Sequence, residues 1–423
     1  MTSNKLSQNK LFHKLPAEQQ QWLISMEQTY AFSFQQLKMM AEYSADLISW
    51  QTGSLAQFHH PHAVGGAKGK QASAKVFHQL RDGYESLKNG QKSYSEEKRF
   101  AASEQKFPEE QMVEVQLKGS IMGECPVASE KTRCCKLKTL DVVQQCGFDC
   151  SYCSIQSFYH GNQVRFIRDL VSHLNSLELD PTKGYHIGTG QSSDSLMWGN
   201  RFGLLDSLYQ FATEHPNVVL EMKSKSARID YFLENTPPSN MVFTWSLNTP
   251  TVIQHEEKAT ASLDKRLESA RKLADQGIPV GFHLHPITWY QGWQEDYRAL
   301  VSRLVNTFQP EEVVMVSLGT LTFIKPVLKR IRERMPNSSI LQMPMEDCAG
   351  KLSYPFDIKK ELFSTISQAF PASWHDSVFF YMCMEHIDLW QPVFGRSYDN
   401  NEQFEEDMLR TYQEKISQIS QSR

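Results

Sequence analysis

Cys146, Cys150 and Cys153 stand in one short run, Cys146-Gly-Phe-Asp-Cys150-Ser-Tyr-Cys153, and thiols at that spacing in a single loop can converge on one inorganic core. Thiolates are the ligands that iron-sulfur clusters require. A [4Fe-4S] core held by only three of them keeps one iron open. The same thiols would also suit zinc, with Cys134, Cys135 or His160 as the fourth ligand. In that reading the protein is a non-catalytic zinc or iron-sulfur module that senses oxidation. The chain has eight cysteines, and six of them lie between Cys125 and Cys153. In a chain without an export signal, such crowding favours metal binding over disulfides.

Loops of this kind need a rigid frame, and from about residue 137 the sequence alternates short β-branched or apolar runs with helical patterns. The predicted strands are Leu137 to Val143, Tyr185 to Thr189, Val218 to Met222, Val242 to Leu247, Pro279 to Leu284 and Val313 to Leu318. Helical spacing is predicted for Val164 to Leu177, Arg201 to Glu214, Leu263 to Gln276, Trp293 to Asn306 and Thr322 to Arg334. Six β-α units imply an α/β fold with a parallel sheet, expected here as a curved, partial (β/α)6 TIM-like barrel. Its chemistry belongs at the carboxyl ends of the strands. The cysteine run follows the first predicted strand directly.

Around the barrel, residues 1–120 are expected as a mainly helical N-terminal extension, 121–345 as the barrel and 346–423 as an α/β C-terminal extension. Apolar positions from Trp22 to Met40 predict one or two amphipathic helices within residues 17–50. Gln57 to Lys75, with His59, His60, His62 and three glycines, is predicted as a mobile loop. Near the C-terminus a helix is expected over residues 359–370, a strand at Val378 to Met382, and then a charged helix.

With 44 Lys+Arg against 48 Asp+Glu, the formal net charge of -4 supplies no global field for a polyanion. Any contact with nucleic acid must come from a local basic patch. Two are candidates: Lys131, Arg133, Lys136 and Lys138 before the cysteine loop, and Lys325, Lys329, Arg330, Arg332 and Arg334 on one predicted helix. No run is long and apolar enough to span a membrane, and the N-terminus lacks a signal-peptide core, so a cytoplasmic protein is expected.

Cys146, Cys150, Tyr152 and Cys153 fit the pattern CxxxCxΦC, with Φ aromatic, and so resemble the radical S-adenosylmethionine (SAM) superfamily. Thr189 to Asp194 (TGQSSD), Lys223 to Asp230 (KSKSARID), Phe243 to Asn248 (FTWSLN), Ala261 to Glu268 (ASLDKRLE) and Gly281 to Tyr297 (GFHLHPITWYQGWQEDY) are similar to the spore photoproduct lyase family, whose members repair a thymine lesion in DNA. The resemblance implies a [4Fe-4S] cluster on Cys146, Cys150 and Cys153, and SAM cleaved reductively to a 5'-deoxyadenosyl radical. It implies an external one-electron donor such as flavodoxin or ferredoxin, and a pyrimidine lesion in DNA as substrate. A different nucleotide or small molecule is the alternative substrate. The family's SAM-binding lysine falls on Lys225 and its SAM-binding serine on Ser246.

Two positions depart from the family. Gln191 stands where the lyases have a hydrogen-donating cysteine, and Ser154 where they have a tyrosine. A glutamine cannot give a hydrogen atom to a carbon radical as a thiol can. Cys383 and Cys348 are the candidate replacements by reactivity, and Cys125, Cys134 and Cys135 are candidates for a second cluster or a redox pair. Tyr152, Ser193 and Asn248 are further candidates for holding SAM, and Asp194, near the mouth, joins Cys383 as a candidate catalytic group. His283 and His285 alternate along the fifth strand and so share a face, where they can orient substrate or shuttle a proton.

Overall fold

The structure, a computed structural model, describes residues 5–94, 111–125, 132–158, 163–190, 192–334, 337–348 and 350–421. Gln191, His160 and Lys131 lie outside them. The described residues gather into two compact units, those within 1–98 and 323–346 and those within 99–322 and 347–423.

In the first unit, Ala17–Thr29 and Phe34–Trp50 are the two helices that the apolar spacing predicts, the second opened by a capping box between Ser33 and Gln36. The expected loop over residues 57–75 is more ordered than its composition implies. Pro61–Val64 is a 3-10 turn with proline at its start, and Gly69–Lys88 is a helix. Ala72, Val76, Leu80 and Tyr84 form a buried four-residue stripe that drives this helix, and the nearby glycines obscured where it begins. The Tyr84 hydroxyl donates to Asp46 at 2.7 Å, and the Arg332 guanidinium grips both Asp46 oxygens at 2.8 Å. Arg332 belongs to the helix Lys325–Arg334, so one basic residue of that candidate patch is committed to an internal ion pair.

The second unit is built on an eight-stranded sheet: β1 (Met122–Glu124), β2 (Lys138–Leu140), β3 (Tyr185–Thr189), β4 (Val218–Ser224), β5 (Met241–Leu247), β6 (Val280–Ile287), β7 (Val313–Thr320) and β8 (Phe379–Met382). Spatial order follows chain order, from β1 at one edge to β8 at the other. Every pair from β2 to β8 is parallel, and only β1 runs antiparallel, against β2. Five of the six expected strands are present, only Lys138–Leu140 of the first joins this sheet, and the C-terminal strand extends it as a seventh parallel member. Sequential order with right-handed crossovers places the connecting helices on one face, so the sheet curls into a half-barrel whose other face turns inward. All seven residues of β5 are buried, which explains why it reads as a continuous apolar run rather than an alternating one.

One predicted element is different. Val164 to Leu177 is not a single helix: Val164–Ile167 is a strand and only Leu170–Asn175 is helical. The strand pairs parallel with Met112–Val115 and antiparallel with Val143–Gln144, forming a small sheet of its own. Its Val-Arg-Phe-Ile alternation suits a strand, and the long helical window had averaged it away.

Candidate active site

The cysteine loop leaves β2 and is held by two neighbours. Asp149–Cys150 pairs antiparallel with Glu257–Lys258, and the Ser151 N–H donates to the Glu256 carbonyl at 2.9 Å. The Tyr152 hydroxyl donates to one oxygen of the Glu257 carboxylate. Arg266, fully buried, donates to the other at 2.6 Å and to the Ser246 carbonyl at 2.7 Å. One arginine thereby ties the cysteine loop to the end of β5.

The second neighbour is the loop after β3. It begins at Gly190, whose positive φ of 82° and lack of side chain are both required, since a Cβ there would lie 2.7 Å from the Ser195 Oγ. Ser193 donates to the Gln145 carbonyl at 3.0 Å and accepts from the Trp198 indole at 2.7 Å. Asp194 accepts from Ser224 Oγ at 2.8 Å, from the Lys225 N–H at 2.7 Å, and from the Leu196 and Met197 N–H groups at 3.0 Å. Its carboxylate therefore joins the β3 loop to the end of β4, directly at Lys225. Burial pushes the Asp194 carboxyl up, and the Lys225 N–H and the Ser224 hydroxyl work against that.

Cys146, Cys150 and Cys153 line one cavity of about 180 Å³ together with Asp194, Lys225 and Ser246. Among the described residues, no group of three or more His, Cys, Asp or Glu is gathered closely enough to grip a single metal ion. The three thiols border the cavity. Burial pushes the Cys150 thiol up to about 12 against the pull of Lys225, and raises Cys146 well above the ordinary thiol range. Such thiols stay protonated until a metal displaces the proton. The donor chemistry thus fits an iron-sulfur core.

A larger cavity, about 360 Å³, adjoins the first and shares Tyr152, Ile155, Gly190, Lys223, Lys225 and Ser246 with it. The Lys225 ammonium lies 5.7 Å from the Tyr152 ring centroid, a cation-π distance. Inward positions of the sheet supply the floor: Glu221 and Lys223 from β4, Ser246 from β5, His283 and His285 from β6. Ser246, His283, Ser317 and Tyr381 fall in one register row across β5 to β8. His283 Nε2 donates to the Glu221 carboxylate at 2.6 Å, and His285 is bonded to Ser317 at 2.9 Å. A Cβ at Gly319 would lie 3.0 Å from the His285 ring, so the glycine makes room for that imidazole.

The structure brings Tyr152, Ser193, Asp194, Lys225 and Ser246 to the smaller cavity, and Cys383 to the larger. Asn248 is elsewhere. It is fully buried, with its amide nitrogen on the Pro286 carbonyl at 2.8 Å and its oxygen on the Tyr297 hydroxyl at 2.7 Å, and it lines neither cavity. Cys348 also lies apart, 3.6 Å from the Lys359 ammonium. In the basic segment before the cysteine loop, Arg133 donates to the Tyr398 carbonyl at 2.8 Å and Lys136 pairs with Glu402. Cys125, Cys134 and Cys135 share the wall of the larger cavity with Cys383, a convergence that sequence spacing cannot show.

Residues 185–373 match the family model of spore photoproduct lyase, a span that begins after the cysteine loop. The chain is 32% identical over 124 residues to the spore photoproduct lyase of Bacillus subtilis strain 168, covering 29% of this chain and 36% of that one. It is 23% identical over 222 residues to the spore photoproduct lyase of Clostridium acetobutylicum, covering 51% and 64%. The matched regions thus span less than two thirds of these relatives' lengths. A solved structure of spore photoproduct lyase complexed with dinucleoside spore photoproduct superposes with a TM-score of 0.55 at 20% identity, over 64% of this chain and 82% of that one, a likeness of fold. The chain is thus similar to spore photoproduct lyases over residues 185–373 and shares the fold of their solved structure.

Proposed function

We propose that this protein is a radical SAM enzyme that acts on a pyrimidine lesion in DNA, and the observation that carries the reading is the meeting of Cys146, Cys150 and Cys153 with Lys225 and Ser246 in one cavity. The three cysteines would hold a [4Fe-4S] cluster, which when bound and reduced by an external one-electron donor such as flavodoxin or ferredoxin supplies the electron that cleaves SAM to methionine and a 5'-deoxyadenosyl radical. Lys225 pairs with the SAM carboxylate and Ser246 hydrogen-bonds it, while Tyr152 fixes the lysine by its ring. Asp194 acts as a positioning residue through its bonds at Lys225 and Ser224. Ser193 does the same for the cysteine loop. The larger cavity receives the substrate.

Cys383 is the thiol assigned to return a hydrogen atom to the product radical. Burial, reinforced by Cys125, pushes its thiol up, which keeps the S–H that donation needs. Cys134 differs: its hydrogen bond with Cys135 pulls its thiol down, so it gives up its proton more readily and is the poorer donor. Among the described residues no helix is long and apolar enough to cross a membrane, and a cytoplasmic location fits the reading.

The test is anaerobic purification, reconstitution with iron and sulfide, reduction with dithionite and assay of SAM for 5'-deoxyadenosine, with Cys150→Ala as control. Production that vanishes in the variant is expected, and ultraviolet-irradiated DNA is then the first substrate. A reduced, fully loaded cluster that yields no deoxyadenosine, or tightly bound zinc in its place, would overturn the reading.

A further inference from the structure

β4 carries two charged side chains toward the larger cavity, Glu221 and Lys223, and Lys225 follows two residues on. Their circumstances differ. The Glu221 carboxylate is fully engaged, by His186 at 2.8 Å, His283 at 2.6 Å and Thr244 Oγ1 at 2.7 Å. Lys225 has the SAM role argued above. The Lys223 ammonium has no hydrogen bond or ion pair among the described residues, although the residue lines both cavities. Burial pushes its ammonium down, and Glu221 only partly opposes this. A half-buried cation without a counter-ion is costly, and such groups persist where they pair with something.

The second observation is beside it. His283 is 4% exposed and lines the same cavity. Its Nε2 is bonded to the Glu221 carboxylate and so carries the proton, which leaves Nδ1 as an acceptor. That Nδ1 is buried and has no partner. Buried polar atoms are nearly always bonded, so an orphan on a ring that lines the cavity points to a ligand atom. The floor therefore offers one unpaired cation and one unpaired acceptor.

We propose that Lys223 and His283 form a recognition site for a compact oxyanion on the substrate, a phosphate or a carboxylate that bears a proton or has a hydroxyl or N–H beside it. Lys223 pairs with the charge, and His283 Nδ1 accepts from the donor. Side chains two apart on a strand are separated by roughly 7 Å. This spacing lets the two lysines serve two anions, the SAM carboxylate at Lys225 and the substrate's at Lys223. The inference rests on the larger cavity being the substrate site and narrows its occupant: an uncharged base alone would leave the floor unpaired.

The experiment uses the reconstituted protein with SAM and isothermal titration calorimetry of two probe pairs, thymidine monophosphate against thymidine and succinate against succinamide. A charge-assisted bond predicts that the anionic member of one pair binds about 10- to 100-fold more tightly than the neutral one. The pair that shows it identifies the anion as phosphate or carboxylate. Lys223→Met should abolish the preference, Lys223→Arg should restore most of it, and neither should change SAM affinity. No preference in either pair, or one that survives Lys223→Met, overturns the proposal. So does a loss of SAM affinity in Lys223→Met equal to that in Lys225→Met, which would place Lys223 in the SAM site. Deoxyadenosine formation, scored separately, tells failure of the radical reading from failure of this one.

Discussion

The two adjoining cavities share six wall residues, yet they are built by different means. The smaller takes its three cysteines from one contiguous loop, and that loop is held from outside by Arg266, Glu257 and Ser193. The larger takes inward side chains from one sheet strand after another, each held by its own strand's hydrogen bonds. A loop-built wall depends on a few buried polar anchors, whereas a strand-built wall distributes its support. Substitutions beneath the smaller cavity should therefore cost far more than those beneath the larger.

The largest effect is expected at Arg266. Its pair with Glu257 is completely buried, so Arg266→Met strands a carboxylate and should lower stability by about 3–5 kcal/mol in urea unfolding. Arg266→Met with Glu257→Gln should recover a large part of that loss. The pair also has an acid signature. Burial pushes the Glu257 carboxyl up, but Arg266 and then Lys225 more than reverse this, so its folded pKa lies below the ordinary 4.5. The folded state then binds fewer protons than the unfolded one in that range. The stability this pair adds is complete above about pH 4.5 and is lost as pH falls through the folded value. Stability followed from pH 7 downward should fall less steeply in Glu257→Gln than in the parent; parallel curves would remove the pair from the account.

Asp194 comes next. An asparagine there keeps one acceptor oxygen but can set an N–H against the Lys225 N–H or the Ser224 hydroxyl, an unsatisfied contact worth about 1–3 kcal/mol. Because the damage falls at Lys225, Asp194→Asn should raise the KM for SAM more than it lowers kcat, with iron content unchanged. An equal loss of kcat, with KM intact, would instead make Asp194 a participant in the chemistry.

The same division explains what could be read in advance. The cysteines could be singled out in advance by residue type and spacing, and Lys225 and Ser246 by the family resemblance; the structure brings all five to one cavity. Five of the six barrel strands were legible within a few residues at each end, since parallel strands covered on both faces are uninterrupted apolar runs; the first, Leu137 to Val143, is broken into Lys138–Leu140 and Val143–Gln144. The Glu257–Arg266 anchor was not, because two ordinary charges in a polar helical stretch give no sign of meeting in the interior. Nor was the gathering of Cys125, Cys134 and Cys135 with Cys383, which needs the whole sheet to close the distance along the chain. Lys223 left a usable signal: alternate charges at Glu221, Lys223 and Lys225 interrupt an otherwise apolar strand, and on a buried strand such positions must face something polar.

The smallest effect is expected at Ser317, beneath the larger cavity. Ser317 is fully buried on β7 and its hydroxyl holds His285 Nε2 at 2.9 Å. Ser317→Ala removes that bond and nothing else of size, so the ordinary worth of a neutral hydrogen bond, about 0.5–1.5 kcal/mol, is the expected loss. The ring should stay in place, because it is packed against Gly319 and lies 5.1 Å from the His283 ring. Burial, with Lys223 beside it, already holds His285 neutral, so no charge is left stranded when the hydroxyl goes. Urea unfolding of Ser317→Ala decides the point. A loss as large as that of Arg266→Met would mean that the strand-built floor is as cooperative as the loop-built wall, and the contrast between the two cavities would fail.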